Sequence, residues 1–241
     1  MTPHFFVAPE QVGSGVALLG PDDSRHLVTV LRGRPGDRVT VADGTGTLWN
    51  AVYQGHQGGL VEIALLESTF LRQRHPAFTV VHALPRQRKL DDVIQRLTEL
   101  GVSRVVPVHS ERSQVELDQH KAAKAVARWR AVALAAAKQS RRARLPVIEE
   151  VGEWPDAFAD GCRGIVLWEE SPVALRTALD DMPAVDELVL GIGPEGGLTR
   201  GEVAATRLPH ASLGPTVLRT ETAAIVAVSA LAYHYGLMEP I

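Results

Sequence analysis

The chain has 241 residues, 45% of them hydrophobic, and a formal net charge of −3, enough apolar material for one or two domains with a true core. Its single cysteine, Cys162, excludes an intramolecular disulfide and a cysteine-rich metal site, and fits a reducing cytoplasm. No run approaches the roughly 18 apolar residues of a membrane span, and the opening Pro3-His-Phe-Phe lacks the basic flank of an export signal; a soluble cytoplasmic protein with no membrane partner is expected.

The first seventy residues read as β. Residues 4–7, 16–19, 38–42, 48–53 and 60–66 are short apolar runs separated by turns such as Asp43-Gly44 and Gly58-Gly59, and a helix over 22–31 interrupts them. Five strands of this kind predict a small closed or half-closed barrel. The polar, basic, proline-ended stretch 67–76 marks a domain boundary, giving domains 1–72 and 73–241.

Beyond it the period changes. Residues 78–84 form a buried strand; Leu90, Val93, Ile94, Leu97 and Leu100 then mark one face of a helix stopped by Gly101, and 102–108 is a second strand. Asp118 opens a long helix with Val126, Trp129, Val132, Ala133 and Ala136 on its apolar side. Between Lys121 and Arg144 stand eight Lys/Arg and no carboxylate, the footprint of a nucleic-acid backbone or else a solvated helix face. Residues 165–168 are a strand with Ser171-Pro172 starting the next helix, and 188–192 and 211–213 are strands each followed by a helix. Strand and helix alternate, so an α/β fold with a mainly parallel sheet and ligands at its C-terminal edge is predicted.

Two of those strands break into glycine and proline: Leu188-Val-Leu-Gly-Ile-Gly-Pro-Glu-Gly-Gly-Leu-Thr199 and Leu213-Gly-Pro-Thr-Val-Leu-Arg-Thr-Glu-Thr-Ala223. Bare main chain at a strand end makes a small-molecule pocket, and two loops of one style point to one shared site. Thr199 with Glu202 forms a capping box, and Thr220 is the predicted N-cap of a helix over 221–235. Gly191-Ile-Gly-Pro-Glu-Gly196 also satisfies the dinucleotide fingerprint, but it lies far from the first strand-helix unit, and Thr216 stands where the ribose-binding acid belongs. The last helix is apolar nearly all round, so it is buried on more than one side, as core or as a dimer face. Nine scattered histidines show no metal-ligand spacing, so no metal is expected.

These two loops, together with His26, Val30-Leu31-Arg32, Gly36-Asp37, Gln95, Thr98-Glu-Leu-Gly-Val102, Glu111-Arg-Ser113, Arg128-Trp129, Gln139-Ser140-Arg141 and Pro146, resemble the bacterial 16S ribosomal-RNA uridine-N3 methyltransferase family of the SPOUT, trefoil-knot class. The resemblance runs in order along most of the chain and departs from the family pattern at His4, Arg96 and Lys138. It implies a PUA-like, RNA-binding barrel over 1–72 and a SPOUT methyltransferase domain over 73–241 whose chain end threads a loop, in a homodimer. It implies S-adenosylmethionine held by three loops: Leu167 and Glu169; Gly191, Ile192, Gly193, Pro194, Glu195 and Gly196; Leu213, Gly214, Val217, Leu218, Arg219 and Thr220. The substrate it implies is 16S ribosomal RNA, naked or within the small subunit, and the RNA-contact candidates are His26, Arg32, Arg112, Arg128, Arg141 and Arg142.

N3 of uridine is a weakly acidic imide nitrogen on the pairing edge, so the base must be unpaired and its anion stabilised. Arg219 and Glu221, where the third loop meets a helix, are the catalytic candidates, with Glu195 a further base or cofactor contact. Two other readings are methylation of another RNA atom, such as a ribose 2′-hydroxyl, and an RNA-binding protein without catalysis.

Overall fold

The computed structural model describes residues 2–8, 11–13 and 15–239, in two compact units. The first comprises 1–73 together with 137–145. Its strands are β1 (His4–Phe6), β2 (Val12–Gly13), β3 (Val16–Leu18), β4 (Arg38–Ala42), β5 (Thr47–Gln57) and β6 (Leu60–Phe70), in the order β1-β4-β5-β6-β3-β2. All pairs are antiparallel except β1 with β4. Alternate residues Val39 and Val41, Ala51 and Tyr53, and Val61 and Ile63 point inward with Phe5, Leu19 and Leu27. Two register breaks in the long β5–β6 ribbon, at Trp49/Ala51 and Tyr53/Gly55, bend it around this core. No pair joins β1 to β2 among the described residues, so the sheet is the half-closed of the two expected forms.

The helix expected over 22–31 is divided: α1 (Pro21–Arg25) passes into a π-helical turn, His26–Val30. Buried Ser24 explains the anchoring of this element, since its hydroxyl donates to Leu19 O at 3.0 Å and accepts from Val61 N at 2.9 Å.

Residues 137–145, which the sequence leaves in the second domain, pack with the first unit. Lys138 Nζ reaches both oxygens of Asp23 at 2.6 and 2.8 Å, His4 Nε2 donates to Arg142 O at 3.0 Å, and Arg144 donates to Leu71 O at 3.0 Å. Gly46, at φ +124°, lets the Arg144 guanidinium lie against bare backbone.

The second unit comprises 74–136 and 146–239 among the described residues. It contains β7 (Ala77–Ala83), α2 (Lys89–Glu99), β8 (Arg104–His109), α3 (Gln119–Ser140, whose last turn lies in the first unit), β9 (Val147–Ile148), β10 (Gly152–Glu153), β11 (Gly164–Leu167), α4 (Leu175–Asp180), β12 (Glu187–Ile192), α5 (Arg200–Ala205), β13 (His210–Ala211) and α6 (Thr220–His234). The sheet order is β10-β8-β7-β12-β11-β13, with β9 also on β8, and every pair is parallel. β12 sits between β7 and β11 although β11 precedes it in the chain.

Both sheet faces are buried, as parallel sheets require. Phe78 and Val80 of β7 share one core with Leu90, Ile94 and Leu97 of α2 and Ala224, Val228 and Leu231 of α6; Val81 and Ala83 face the other way, onto Trp154, Leu198 and Val203. The largely apolar α6 is thus central to the larger core.

Two predicted helix starts are corrected. α4 begins at Leu175 instead of Ser171-Pro172, because the Ser171 hydroxyl accepts from Val173 N at 3.2 Å and donates to His210 O at 3.1 Å, holding a turn where a helix was expected. α6 is N-capped by Arg219, and the Thr220 hydroxyl is taken by a partner outside the helix.

Candidate functional site

The loops that leave the C-terminal ends of β11, β12 and β13 meet at one edge of the parallel sheet and enclose a cavity of about 320 Å³. Leu167, Ile192, Leu198, Ala211, Leu213, Val217 and Ala223 give it apolar walls; Trp168, Glu169, Glu195, Thr216, Arg219 and Thr220 supply the polar groups. An apolar cleft with a few polar groups at a sheet's carboxyl edge is the usual form of a small-molecule site.

The glycines decide how closely the cavity's own side chains pack on the loop. A Cβ on Gly193 would stand 2.8 Å from Leu198 Cγ, and Gly197 holds φ +70° with its bare Cα against the Glu169 carboxylate. A Gly197 N–H to Pro194 O bond of 2.9 Å closes the turn. Thr199 and Glu202 form the predicted capping box, with Glu202 N donating to Thr199 Oγ1 at 3.1 Å and Thr199 N donating to Glu202 Oε2 at 2.8 Å. Buried Glu202 also accepts Glu111 N at 2.8 Å, and Arg112 Nη1 donates to Gly196 O at 3.1 Å, so the loop after β8 fastens the loop after β12.

Of the residues expected to hold a cofactor, Leu167, Glu169, Ile192, Gly193, Pro194, Glu195, Leu213, Gly214, Val217, Leu218, Arg219 and Thr220 line the cavity. Gly191 and Gly196 do not. A Cβ on Gly191 would meet Phe158, Trp154 and Val166 on the far sheet face, and one on Gly196 would lie 3.1 Å from Arg112 Cβ. Gly191 is buried in the sheet, whereas Gly196 is exposed beside Arg112.

Arg219 is exposed on that wall, and its guanidinium makes no hydrogen bond or ion pair among the described residues. Glu221, two residues on, turns away from the cavity toward Lys89, whose Nζ lies 3.5 Å from Glu221 and 3.0 Å from Glu195. Glu195 also accepts Arg86 N at 3.1 Å. Burial raises the Glu195 pKa, but donation from its own backbone, from Lys89 and from Arg86 outweighs this and holds the carboxyl below its usual range. Glu221 keeps its buried Oε2 without a partner among the described residues, and so does the Trp168 indole N–H.

Beneath this cluster lies His82, fully buried at the end of β7. Its Nδ1 donates to Ala83 O at 2.7 Å and its Nε2 faces the Thr220 hydroxyl at 3.5 Å, while Thr220 donates to Gly193 O at 2.6 Å. Burial lowers the His82 pKa, against opposing effects from its Ala83 bond and from Glu195 and Glu221. Sequence reasoning missed His82, Lys89 and the Glu202–Glu111 bond; only the cationic run Arg86-Gln-Arg-Lys89, at the same sheet edge as the glycine loops, hinted at them.

The expected RNA contacts divide. In the first unit His26, Arg32 and Arg141 are exposed, and Arg141 also donates to Thr2 O at 3.0 Å; Arg142 is half-buried, with its pKa lowered by burial to about 10, and belongs to the packing of that unit. In the second unit Arg128 pairs with Asp91 at 3.0 Å and Arg112 holds Gly196. No group of three or more His, Cys, Asp or Glu suited to a metal occurs among the described residues, and none of their helices is long and apolar enough to cross a membrane.

Compared with known proteins, the chain matches the family model described as RNA methyltransferase domain over residues 73–232 and that described as RNA methyltransferase PUA domain over 19–66. It is 35% identical to ribosomal RNA small subunit methyltransferase E of Mycobacterium bovis, across 94% of this chain and 90% of that protein. A methyltransferase of Legionella pneumophila, solved with the cofactor S-adenosylmethionine bound, superposes with a TM-score of 0.86 at 27% identity, covering 97% of this chain and 98% of that one. The ribosomal RNA small subunit methyltransferase E of Neisseria gonorrhoeae bound to S-adenosylmethionine gives a TM-score of 0.85 at 27% identity, with the same coverage.

Proposed function

The chain belongs to the ribosomal RNA small subunit methyltransferase E family, with a PUA-like first unit and a SPOUT-class second, and from that premise we propose that it transfers the methyl group of S-adenosylmethionine to N3 of a uridine in 16S ribosomal RNA. The observation that carries this reading is the three-loop cavity at the carboxyl edge of the parallel sheet.

The residues present fit the cofactor. Gly193 and Gly197 let Leu198 and Glu169 close against the loop's main chain, Leu167, Ile192 and Leu213 line the apolar side, and Trp168, whose indole N–H has no partner among the described residues, is also in the lining. The carboxylate of Glu169 suits a ligand that carries positive charge. When bound, S-adenosylmethionine supplies an electrophilic methyl on a sulfonium.

The chain's own task is the acceptor. The uncommitted guanidinium of Arg219 stabilises negative charge spreading onto the uracil carbonyl oxygens. Glu221 would receive the N3 proton by swinging its carboxylate from Lys89 into the cavity, whereas Glu195, held by Lys89 and Arg86, acts by its charge. His26, Arg32 and Arg141 contribute backbone contacts from the first unit.

We further infer a cytoplasmic homodimer. α6 and the loop before it expose Val217, Val226 and Tyr233, apolar surface that a second copy would cover. A calorimetric titration with S-adenosylmethionine, followed by mass spectrometry of nucleosides from treated small-subunit RNA, tests the whole reading: saturable binding and 3-methyluridine are expected. No heat of binding, or methyl on a ribose, would refute it.

A further inference from the structure

A second cavity, of about 300 Å³, lies in the same unit between the loop after β7 and the start of α3. Its floor is apolar: Leu84, Leu90, Leu117 and Ala125, closed by the buried Trp129. Its rim is cationic: Arg88, Lys121, Lys124 and Arg128. The one acid lining it, Asp91, is already engaged, accepting Arg128 Nε and the Trp129 indole N–H at 3.1 and 2.9 Å. Lys121 is paired with Asp118, but the side chains of Arg88 and Lys124 form no hydrogen bond or ion pair among the described residues.

That combination narrows the ligand. Two uncommitted cations at an open rim call for an anion, and an apolar floor of this size calls for a flat uncharged group attached to it. A nucleotide has both parts in one molecule, the phosphate for the rim and the base for the floor. Single-stranded RNA is read in this way, by splaying bases out into pockets while cations hold the backbone.

The position agrees. The segment 84–89 forms the partition between the two cavities: Arg86 N and Lys89 face Glu195 on one side, while Leu84, Gln87 and Arg88 line the second cavity on the other. Gln87 holds φ +58°, a left-handed conformation at the crest of the partition. Resting on the reading that this enzyme methylates RNA, we propose that this cavity takes up a nucleotide flanking the target uridine, splayed from the same strand, and so sets which position of the RNA presents itself to the cofactor.

The test separates this from the methyltransferase reading by using RNA binding alone. The double variant Arg88→Ala/Lys124→Ala removes the uncommitted cations, and Val115→Trp narrows the cavity mouth without altering charge. Binding of small-subunit ribosomal RNA is measured by fluorescence anisotropy over a salt series, without cofactor, beside the control Arg176→Ala, an exposed cation on α4. The expected result is at least tenfold weaker RNA binding for the double variant, with a salt slope reduced by about one to two. Val115→Trp should weaken binding several-fold with the slope unchanged, Arg176→Ala should do neither, and S-adenosylmethionine should bind all three as it binds the parent. Full affinity in Val115→Trp, or a loss in Arg176→Ala matching the double variant, overturns the proposal. Absence of methyl transfer in the parent protein would instead count against the enzymatic reading.

Discussion

The hydroxyl of Thr220 donates to the carbonyl oxygen of Gly193 at 2.6 Å, joining the first turn of α6 to the loop that follows β12. One part-buried bond thereby couples two of the three loops around the cavity. Thr220→Val keeps the shape and removes the donor, leaving the Gly193 carbonyl short of a partner, which costs about 1–3 kcal/mol. Denaturant unfolding should register that loss, and calorimetry should show S-adenosylmethionine bound several-fold more weakly; unaltered affinity would mean that the loops hold their places independently.

Gly197 and Gly196 are adjacent but should respond differently. At Gly197 a methyl group meets the Glu169 carboxylate and must also adopt φ +70°, which for a side-chain-bearing residue costs roughly 1–2 kcal/mol. Gly197→Ala should weaken cofactor binding about tenfold or more. Gly196→Ala only presses on Arg112 at 3.1 Å and should change cofactor affinity much less, through the Arg112 bond. Equal losses in a calorimetric comparison would contradict this assignment of the two glycines.

The glycine loops and the Thr199–Glu202 capping box were legible in the sequence because their chemistry is local: residues three apart satisfy each other, and strand ends break where Cβ is missing. What escaped depends on distant partners. Lys89 meets Glu195 106 residues away, His82 faces Thr220 138 residues away, and neither shows periodicity or spacing. Thr220 has the residue type of an N-cap, yet its hydroxyl finds a closer acceptor in Gly193. Residues 137–140 continue a helix of the second unit, so nothing in their pattern reveals that Lys138 seeks Asp23 in the first.

Glu202 is the buried hub of the site's support. Its two carboxyl oxygens accept the N–H groups of Glu111 and Thr199, so Glu202→Gln turns an amide NH₂ against one of these donors. A destabilisation of about 2 kcal/mol is expected. Thermal unfolding of the variant at an unchanged midpoint would show that these bonds have a solvent substitute.

Stability should fall in mild acid. Burial lowers the pKa of both His82 and His4, whereas in the unfolded chain each returns to about 6.5. Below that value the unfolded state takes up protons that the fold resists, so this stability is fully present above pH 6.5 and is lost as pH falls toward the lowered folded values. Unfolding free energies measured between about pH 7.5 and 5 should slope downward, and His82→Gln should flatten that slope by at most about 1.4 kcal/mol per pH unit. A variant with the parent's slope would assign the effect to His4 or to other groups.

Lys89 tests how the two carboxylates beside the cavity divide their work. Its ammonium lies 3.0 Å from Glu195 and 3.5 Å from Glu221 and helps to hold Glu195 below the ordinary carboxylate range. Lys89→Met removes that charge, so the Glu195 pKa must rise, and its carboxylate form is lost at a higher pH than in the parent. Since Glu195 acts through its negative charge in the mechanism above, the acid limb of the kcat profile should move upward in Lys89→Met and return in Lys89→Arg, which restores a cation with a different reach. A second measurement separates the partners: Glu195→Gln should abolish the shift produced by Lys89→Met, because the titrating group is then gone, while Glu221→Gln should lower kcat without abolishing it. An acid limb that stays fixed in Lys89→Met would leave Glu195 a structural anchor for the Arg86 backbone, and the proton chemistry would then rest on Glu221 and Arg219.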